Sequence, residues 1–350
     1  MKVIDMEHHF YPKEMFEHLK ERKEPPYLDE KNGCIVNPCN AILGAVAPAF
    51  NPPVNVCDEM MDLGEYRISR LDYAGVDVGV LSCACIPELF TDKDEAVKYA
   101  RMANDAAAEA CRKYPDRFMG SICLPTLFVE ESLEELDRAV NVLGLKYWHT
   151  HSNYNNHFLY EDMFDPIVDK CAQLGIAIYI HPQSPSSEFL NDSGPAFSSA
   201  AFGFGVDVMK TTIRLVLKGT FDKHPNLQII LGHMAEFFPY ILARMDNRFS
   251  LDYMKAIDPF LKYEKSFTYY FKNKNILMTT SGIDDEITIE TAMKAVGIDN
   301  IMFGTDYPYE EFKHAVDFIK SLNISDEDKE KIFYKNAEKY IMKKNEYAGE

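Results

Sequence analysis

Short runs of apolar residues, each bounded by turn-forming residues, recur along the chain. Such runs predict buried β-strands, and they cover residues 2–6, 77–82, 117–123, 143–148, 175–180, 227–231, 275–280 and 299–304. Most intervals between them have apolar residues at helical spacing, most clearly over 94–114, 129–143 and 165–174. Gly75, Gly144 and Gly175 fall where such helices end, a position that favours glycine. Eight alternations of strand and helix predict a closed parallel (β/α)8 barrel, the TIM-barrel fold, rather than a doubly wound sheet.

Two segments depart from this alternation. Residues 13–66 contain six prolines, with charged residues early and apolar residues late. We interpret them as an irregular insertion after strand 1 that covers the mouth of the barrel or contacts another subunit. Residues 325–350 are expected to form a C-terminal helix, with Ser325 as its N-cap. The whole chain, residues 1–350, is therefore interpreted as a single domain.

Composition excludes several classes of protein. The chain has 350 residues, is 47% hydrophobic and has a formal charge of −18, so it can bury a large core. Its acidity argues against nucleic-acid and anionic-membrane partners. The first predicted strand begins at residue 2, and no apolar run approaches the roughly 18 residues of a membrane span. Eight irregularly spaced cysteines, among them Cys83 and Cys85, then suggest reduced thiols in a cytoplasmic protein and not a disulfide framework or metal site.

Polar residues that can bind metals lie at the ends of four predicted strands. In Glu7-His8-His9, the first and third side chains project to one face, which in a barrel is the interior. His8 then points outward and has a packing role. His181 ends the fifth strand, where a metal or a carboxylate would satisfy its imidazole. Asp306 follows the last strand and is expected beside the first, although it could also cap the next turn.

His233 and Glu236 follow the most uniformly apolar strand. If a helical turn begins there, their i, i+3 spacing places them on one face. A paired carboxylate raises the basicity of an imidazole, which suits proton transfer, but the pair could also be a hydrogen bond that orients a loop.

Together these segments predict a mixed oxygen and nitrogen ligand set without thiolates. Such a set suits one divalent ion such as Zn, Mn or Fe(II). Around it, residues 148–153 are expected to line the pocket, Arg244 is the preferred arginine for binding a substrate carboxylate, and Tyr309 could stack on an aromatic ring.

The chain resembles the amidohydrolase superfamily, in particular its branch of metal-dependent, non-oxidative decarboxylases of aromatic acids. Besides the four strand ends, the resemblance rests on residues 70–77 (RLDYAGVD), 219–222 (GTFD) and 335–337 (KNA). Glu7-His8-His9 is similar to the Glu-x-His form found in the decarboxylases, whereas hydrolases usually have His-x-His. The resemblance implies metal ligands at Glu7, His9, His181 and Asp306, with His233 and Glu236 as a catalytic pair.

The resemblance also implies a substrate and a reaction. An ortho-hydroxybenzoate-like acid would chelate the metal, and Asp306 would serve as ligand and proton carrier while the ring carbon is protonated and carbon dioxide leaves. No lysine is placed to bridge two metals, so one Zn or Mn ion is expected. The family's habit and the insertion suggest a homodimer or homotetramer.

Three other interpretations remain open on the sequence. A hydrolase of lactones, amides or esters could use the same ligands, with Asp306 as general base. A hydratase of a carboxylated diene is a second possibility within the branch, and a non-catalytic metal-binding or sensing barrel is a third. The His233 and Glu236 pair argues against the last, because metal binding alone does not require a proton relay.

Overall fold

Parallel strands form at all eight apolar runs. The computed structural model describes residues 1–29, 34–36, 42–44, 46–47, 54–84 and 86–342. The described strands are β1 (Ile4–Phe10), β2 (Tyr27–Asp29), β3 (Cys34–Val36), β4 (Ile42–Gly44), β5 (Val46–Ala47), β6 (Val54–Asn55), β7 (Val78–Cys83), β8 (Phe118–Gly120), β9 (Trp148–His151), β10 (Ile178–His181), β11 (Ile229–Leu231), β12 (Ile276–Thr279) and β13 (Ile301–Met302).

The parallel strands belong to two sheets that meet at both edges. Their orders are β1-β7-β8 and β13-β12-β11-β10-β9. At one junction, a parallel bridge joins His8 to Tyr307, and at the other a parallel bridge joins Ile122 to Trp148. The protein therefore has an α/β architecture in which the carboxyl ends of the eight parallel strands lie on the same side.

Helices cover the intervals between these strands. They are α1 (Lys13–Glu21), α2 (Val56–Met61), α3 (Glu65–Ala74), α4 (Ile86–Leu89), α5 (Lys93–Lys113), α6 (Val129–Asn141), α7 (Asp165–Leu174), α8 (Glu188–Asp192), α9 (Pro195–Ser198), α10 (Gly203–Leu217), α11 (Thr220–Lys223), α12 (Phe238–Phe249), α13 (Asp252–Ile257), α14 (Phe267–Lys272), α15 (Glu286–Val296), α16 (Phe312–Ser321), α17 (Asp326–Glu330) and α18 (Asn336–Tyr340). Gly75 and Gly175 end α3 and α7 with φ values of +76° and +66°, as predicted.

The bounds of two strands, β1 and β9, differ most from the prediction. β1 continues to Phe10, so Glu7 and His9 lie inside the strand and not after it. β9 begins at Trp148, where the predicted strand 143–148 ended. The apolar residues before Trp148 include Leu145 and Tyr147, which are buried outside the strand. Hydrophobicity therefore located the buried segment but not the residues that pair with β10.

The described part of residues 13–66 is more regular than predicted. It contains α1, an antiparallel sheet of order β2-β3-β4, the antiparallel pair β5-β6, and α2. Met15, Phe16 and Leu19 bury one face of α1. The remainder of the predicted insertion, at 30–33, 37–41, 45 and 48–53, lies outside the described residues.

The C-terminal segment is helical as predicted, in three pieces. The Ser325 hydroxyl accepts a hydrogen bond from the backbone N–H of Asp328 and begins α17. A π-helix, Lys331–Lys335, connects α17 to α18. Residues 343–350 of the predicted helix lie outside the described part. No described helix is both long and apolar enough to cross a bilayer.

Candidate metal centre

Four side chains converge at the carboxyl ends of the parallel strands. Each of Glu7, His9, His181 and Asp306 offers one atom, and these atoms all lie within 4.8 Å of one another. His9 Nε2 is 3.0 Å from Asp306 Oδ1 and 3.4 Å from Glu7 Oε1. His181 Nε2 is 2.8 Å from Glu7 Oε1 and 3.6 Å from Asp306 Oδ1. The four predicted ligands thus come together from β1, β10 and the segment after β13.

The alternation of β1 gives Glu7, His8 and His9 different environments. Glu7 and His9 share one face and join the cluster, whereas His8 lies on the other face, fully buried. The His8 ring stacks on Tyr307 at 4.4 Å between centroids, and its Nε2 is 3.0 Å from Asp5 Oδ2. His8 therefore has a packing role between β1 and the segment that follows β13.

Neighbouring hydroxyl groups orient the two residues of β1 in the cluster. Tyr179 donates to Glu7 Oε2 at 2.7 Å, and Ser281 donates to the same oxygen. Ser82 Oγ lies 3.1 Å from His9 Nδ1, on the side of the ring away from the cluster. Hydrogen bonds of this kind fix the orientation of metal-binding side chains.

These three hydroxyl groups were not predicted from the sequence. Tyr179 could have been found, because it lies two residues before His181 on the same strand and hence on the same face. Ser82 and Ser281 have no comparable signal, because their positions depend on how β7 and the segment after β12 pack against β1.

The cluster favours positive charge. Burial alone would lower the pKa of His181, but the charges of Glu7 and Asp306 raise that pKa to about 10. Burial also lowers the pKa of His9, but the neighbouring carboxylates of Asp306 and Glu7 outweigh burial and raise that pKa above its usual value. The pKa of Glu7 is lowered well below its usual range, because the neighbouring imidazoles overcome the effect of burial.

These properties fit a divalent cation. Glu7 Oε1 and His181 Nε2 are buried and have no hydrogen-bond partner among the described residues, because their 2.8 Å contact lacks hydrogen-bond geometry. Leaving such atoms unsatisfied costs about 1–3 kcal/mol each. A metal ion would satisfy both atoms, and two carboxylates with two imidazoles form a ligand set that suits Zn or Mn.

His233 and Glu236 lie in a left-handed turn, so the right-handed helical turn considered from the sequence is wrong. The φ values of His233, Met234, Ala235 and Glu236 are +49°, +53°, +57° and +56°. Such conformations are costly for residues other than glycine, and they persist mainly at functional sites. The strained turn places the His233 ring 6.0 Å from that of His181.

His233 bonds to the backbone and not to Glu236. Its Nδ1 lies 3.0 Å from the carbonyl oxygen of Ser281, which can only accept, so Nδ1 carries the hydrogen. In the neutral ring, Nε2 then has the free lone pair. Glu236 is close enough to feel the charge of His233, but burial dominates and raises the pKa of Glu236.

The two residues predicted to bind substrate have different positions. Tyr309 is half-buried, with its ring 6.0 Å from that of His9. Arg244 is exposed on α12. Their roles in substrate binding stay predictions. His149 and His151, in the segment predicted to line the pocket, are buried in β9, with each ring 5.4 Å from that of His181.

Comparison with known proteins identifies the family. A family model described as amidohydrolase matches residues 4–340. The chain belongs to the amidohydrolase family. Within it, the chain is 33% identical to gamma-resorcylate decarboxylase from Rhizobium sp. strain MTP-10005 over 287 residues, which cover 79% of this chain and 86% of the relative.

Solved amidohydrolase structures resemble the whole chain. One is 5-carboxyvanillate decarboxylase from Novosphingobium aromaticivorans with manganese and 4-hydroxy-3-methoxy-5-nitrobenzoic acid, at 30% identity and TM-score 0.86, covering 97% of this chain and 95% of that one. Another is dihydroxybenzoic acid decarboxylase from Polaromonas sp. JS666 with manganese and the inhibitor 2-nitroresorcinol, at 28% identity and TM-score 0.81, covering 99% of both chains.

Proposed function

We propose that this amidohydrolase is a metal-dependent, non-oxidative decarboxylase of a hydroxylated aromatic carboxylic acid. The observation that carries the proposal is the convergence of Glu7, His9, His181 and Asp306 beside His233. The relatives support it: their names are those of aromatic-acid decarboxylases, and two of their structures contain manganese with a hydroxylated nitroaromatic ligand.

The proposal includes the architecture that positions the site. The parallel bridges at both junctions of the two sheets support a closed (β/α)8 barrel, and we propose that residues 1–350 form one domain around it. In such a barrel the active site lies at the carboxyl ends of the strands, where the four residues converge. Residues 13–66 would contribute to the same end, since α2 packs next to β1 through the hydrogen bond from Tyr11 N–H to the Met60 carbonyl.

Glu7, His9, His181 and Asp306 would hold one Mn or Zn ion. When bound, the ion supplies Lewis acidity, which stabilises negative charge on the carboxylate and the neighbouring hydroxyl oxygen of the substrate. Tyr179 and Ser281 hold Glu7 Oε2, which leaves Oε1 directed at the other ligands. Tyr309 would pack against the aromatic ring from the side of His9.

The chain's own groups would carry the proton. Decarboxylation requires a proton at the ring carbon that bears the carboxylate, followed by loss of carbon dioxide and recovery of aromaticity. Asp306, whose φ is +64°, lies against His9 and keeps 14% of its side chain exposed, so it would deliver this proton. His233 offers Nε2 next to His181, and it would hold the proton or pass it to Asp306. Glu236, at the end of the strained turn, would be the second member of the catalytic pair with His233.

Carbon dioxide release tests the proposal. Manganese-loaded protein is incubated with 2,6-dihydroxybenzoate, 2-hydroxybenzoate and 5-carboxyvanillate, and carbon dioxide and the corresponding phenol are measured. We expect stoichiometric formation of both from at least one acid, and none after chelation of the metal. If all three acids remain intact while lactones or esters are hydrolysed, the chain is a hydrolase and the proposal is wrong.

Two further parts of the account stay predictions. The chain is expected to form a homodimer or homotetramer, which sedimentation-velocity measurement of its mass would test. A cytoplasmic location is expected from the cysteine pattern, and fractionation of cells that express the full chain would test it.

A further inference from the structure

A buried pair of polar side chains next to the metal centre has no role in the proposed mechanism. His151 is the last residue of β9 and pairs in register with His181, the last residue of β10. The two rings meet edge to face at 5.4 Å between centroids. His151 Nδ1 lies 2.6 Å from Glu88 Oε2, and both side chains are at most 3% exposed.

The surroundings of Glu88 fix the pair in one orientation. Thr126 and Thr150 donate to Glu88 Oε1 at 2.7 and 2.6 Å. Glu88 Oε2 is then left for His151 Nδ1. The carboxyl group comes from α4, outside the strands, and the imidazole ring extends from β9 between Glu88 and His181. The pair therefore fixes the ring plane of His151.

Among the described residues, the second nitrogen of His151 contributes no bond to the fold. Nδ1 and Nε2 lie on different edges of the ring, so Nε2 is directed away from α4 when Nδ1 faces Glu88. Within the part of the chain that the structure describes, no hydrogen bond of Nε2 is formed. Burying a carboxyl group and an imidazole is costly; for Glu88, burial raises its pKa to about 8 despite the two threonines. Packing alone would be served better by apolar residues.

The position of Nε2 relative to the other polar groups suggests its use. His181 has His233 on one side, at 6.0 Å between ring centroids, and His151 on the other, at 5.4 Å. A benzoate held with its carboxylate at the metal centre has two ortho positions, one on each side of the carboxylate. When one ortho hydroxyl is at the metal, the other lies across the carboxylate from it.

We propose that His151, positioned by Glu88, is the specificity-determining residue that binds a second ortho hydroxyl of the aromatic acid through Nε2. This inference rests on the proposed function and extends it to the substrate's substitution pattern. A hydroxyl group both donates and accepts, so the contact forms whichever of Glu88 and His151 holds the shared proton. A site that hydrogen-bonds a hydroxyl rejects the analogue without it, because the bound analogue shields the nitrogen from water and leaves it unpaired.

Equilibrium binding tests the inference without requiring turnover. The probes are 2-nitroresorcinol, with two hydroxyls ortho to the nitro group, and 2-nitrophenol, with one. Their dissociation constants are measured by calorimetry on manganese-loaded wild type and His151→Leu. We expect wild type to prefer 2-nitroresorcinol by at least about 10-fold and His151→Leu to lose that preference. Glu88→Gln should lose part of it, because an amide at this position holds the ring less firmly.

Controls separate a specificity role from a structural one. Glu135 is a buried carboxylate bonded to Asn104 and Arg138, so Glu135→Gln matches Glu88→Gln and should leave the ratio of the two dissociation constants unchanged. If His151→Leu does not fold, as judged by circular dichroism, His151→Gln takes its place. It should reduce the preference for 2-nitroresorcinol, measured as the dissociation constant of 2-nitrophenol divided by that of 2-nitroresorcinol.

Two results would overturn the inference: no preference in wild type, or an unchanged ratio in the His151 variant, which includes equal weakening of both ligands. A preference that depends on His151 in a protein that releases no carbon dioxide would instead support the inference and contradict the proposed function alone.

Discussion

The hydroxyl group of Tyr179 donates to Glu7 Oε2 over 2.7 Å, across the space between β10 and β1. Tyr179 lies two residues before His181, so one strand supplies both a proposed ligand and the group that orients another. The bond occupies Oε2 and leaves Oε1 facing His181 Nε2 at 2.8 Å. The metal affinity of the site should therefore depend on a residue that is not itself a ligand.

Replacing Tyr179 tests this dependence. Tyr179→Phe removes the hydroxyl and keeps the ring, while Ser281 still binds Glu7 Oε2. We expect manganese affinity, measured by titration calorimetry, to fall about 10- to 100-fold. Tyr147→Phe is a matched control, because the Tyr147 hydroxyl is also buried but donates to the backbone carbonyl of Met6 at 3.0 Å. Equal affinities in wild type and Tyr179→Phe would exclude an orienting role.

Replacing His233 tests the proton-transfer role. His233→Asn should retain manganese, because the imidazole is outside the group of four proposed ligands. Its turnover should fall about 100- to 10,000-fold, the usual contribution of a general acid–base. Metal content by mass spectrometry and carbon dioxide release are measured on the same sample. His157→Asn, at a half-exposed imidazole bonded to Glu161, is the control. Turnover within 2-fold of wild type would make His233 structural.

The role of Glu236 can be tested by a substitution in α10, the helix that lies against its carboxylate. A methyl group added at Gly205 would come within 2.5 Å of Glu236 Oε2, which is the end of a flexible side chain. Gly205→Ala should therefore fold as stably as wild type or better, since alanine favours a helix by about 1 kcal/mol, while it displaces the carboxylate. We expect turnover to fall at least about 10-fold, because misplacement by about 1 Å is costly in an active site.

A double variant checks that this effect passes through Glu236. In a Glu236→Gln background, Gly205→Ala should cause little further loss of turnover. If the two effects multiply instead, the methyl group acts elsewhere in α10, and the proposed use of Glu236 loses its support.

The stability of the metal-free protein should fall as pH rises from neutral. The pKa of His181 is raised to about 10 in the folded protein, against about 6.5 when unfolded. Protonated His181 therefore stabilises the fold fully below pH 6.5, and this contribution is lost as pH rises through about 10. Between pH 7 and 10 the thermal midpoint of metal-free wild type should drop at least about 2 °C more than that of His181→Asn. If the thermal midpoints of the two metal-free proteins change equally with pH, the charge assigned to His181 is contradicted.

The sequence predicted most of what depends on local pattern. The eight apolar runs correspond to eight strands, and the alternation in β1 separates Glu7 and His9 from His8 as predicted. The start of β9 was misplaced because buried residues such as Tyr147 have the apolar pattern of a strand but lie outside the strand pairing.

The features that the sequence did not predict depend on the conformation of the backbone and on contacts between distant segments. The left-handed turn at His233–Glu236 could not be predicted, since nothing in residues 233–236 favours a positive φ. The hydrogen bonds from Ser281 to Glu7 and from His151 to Glu88 each join segments more than 60 residues apart, so only the packing of strands and helices creates them.

The account depends most on where the cation binds. Crystals of the manganese-loaded protein, measured at the manganese absorption edge, give this position directly through the anomalous difference map. We predict one strong peak bounded by Glu7 Oε1, His9 Nε2, His181 Nε2 and Asp306 Oδ1. A fully loaded crystal whose manganese peak lies elsewhere, or that shows no peak among these four atoms, would contradict the account.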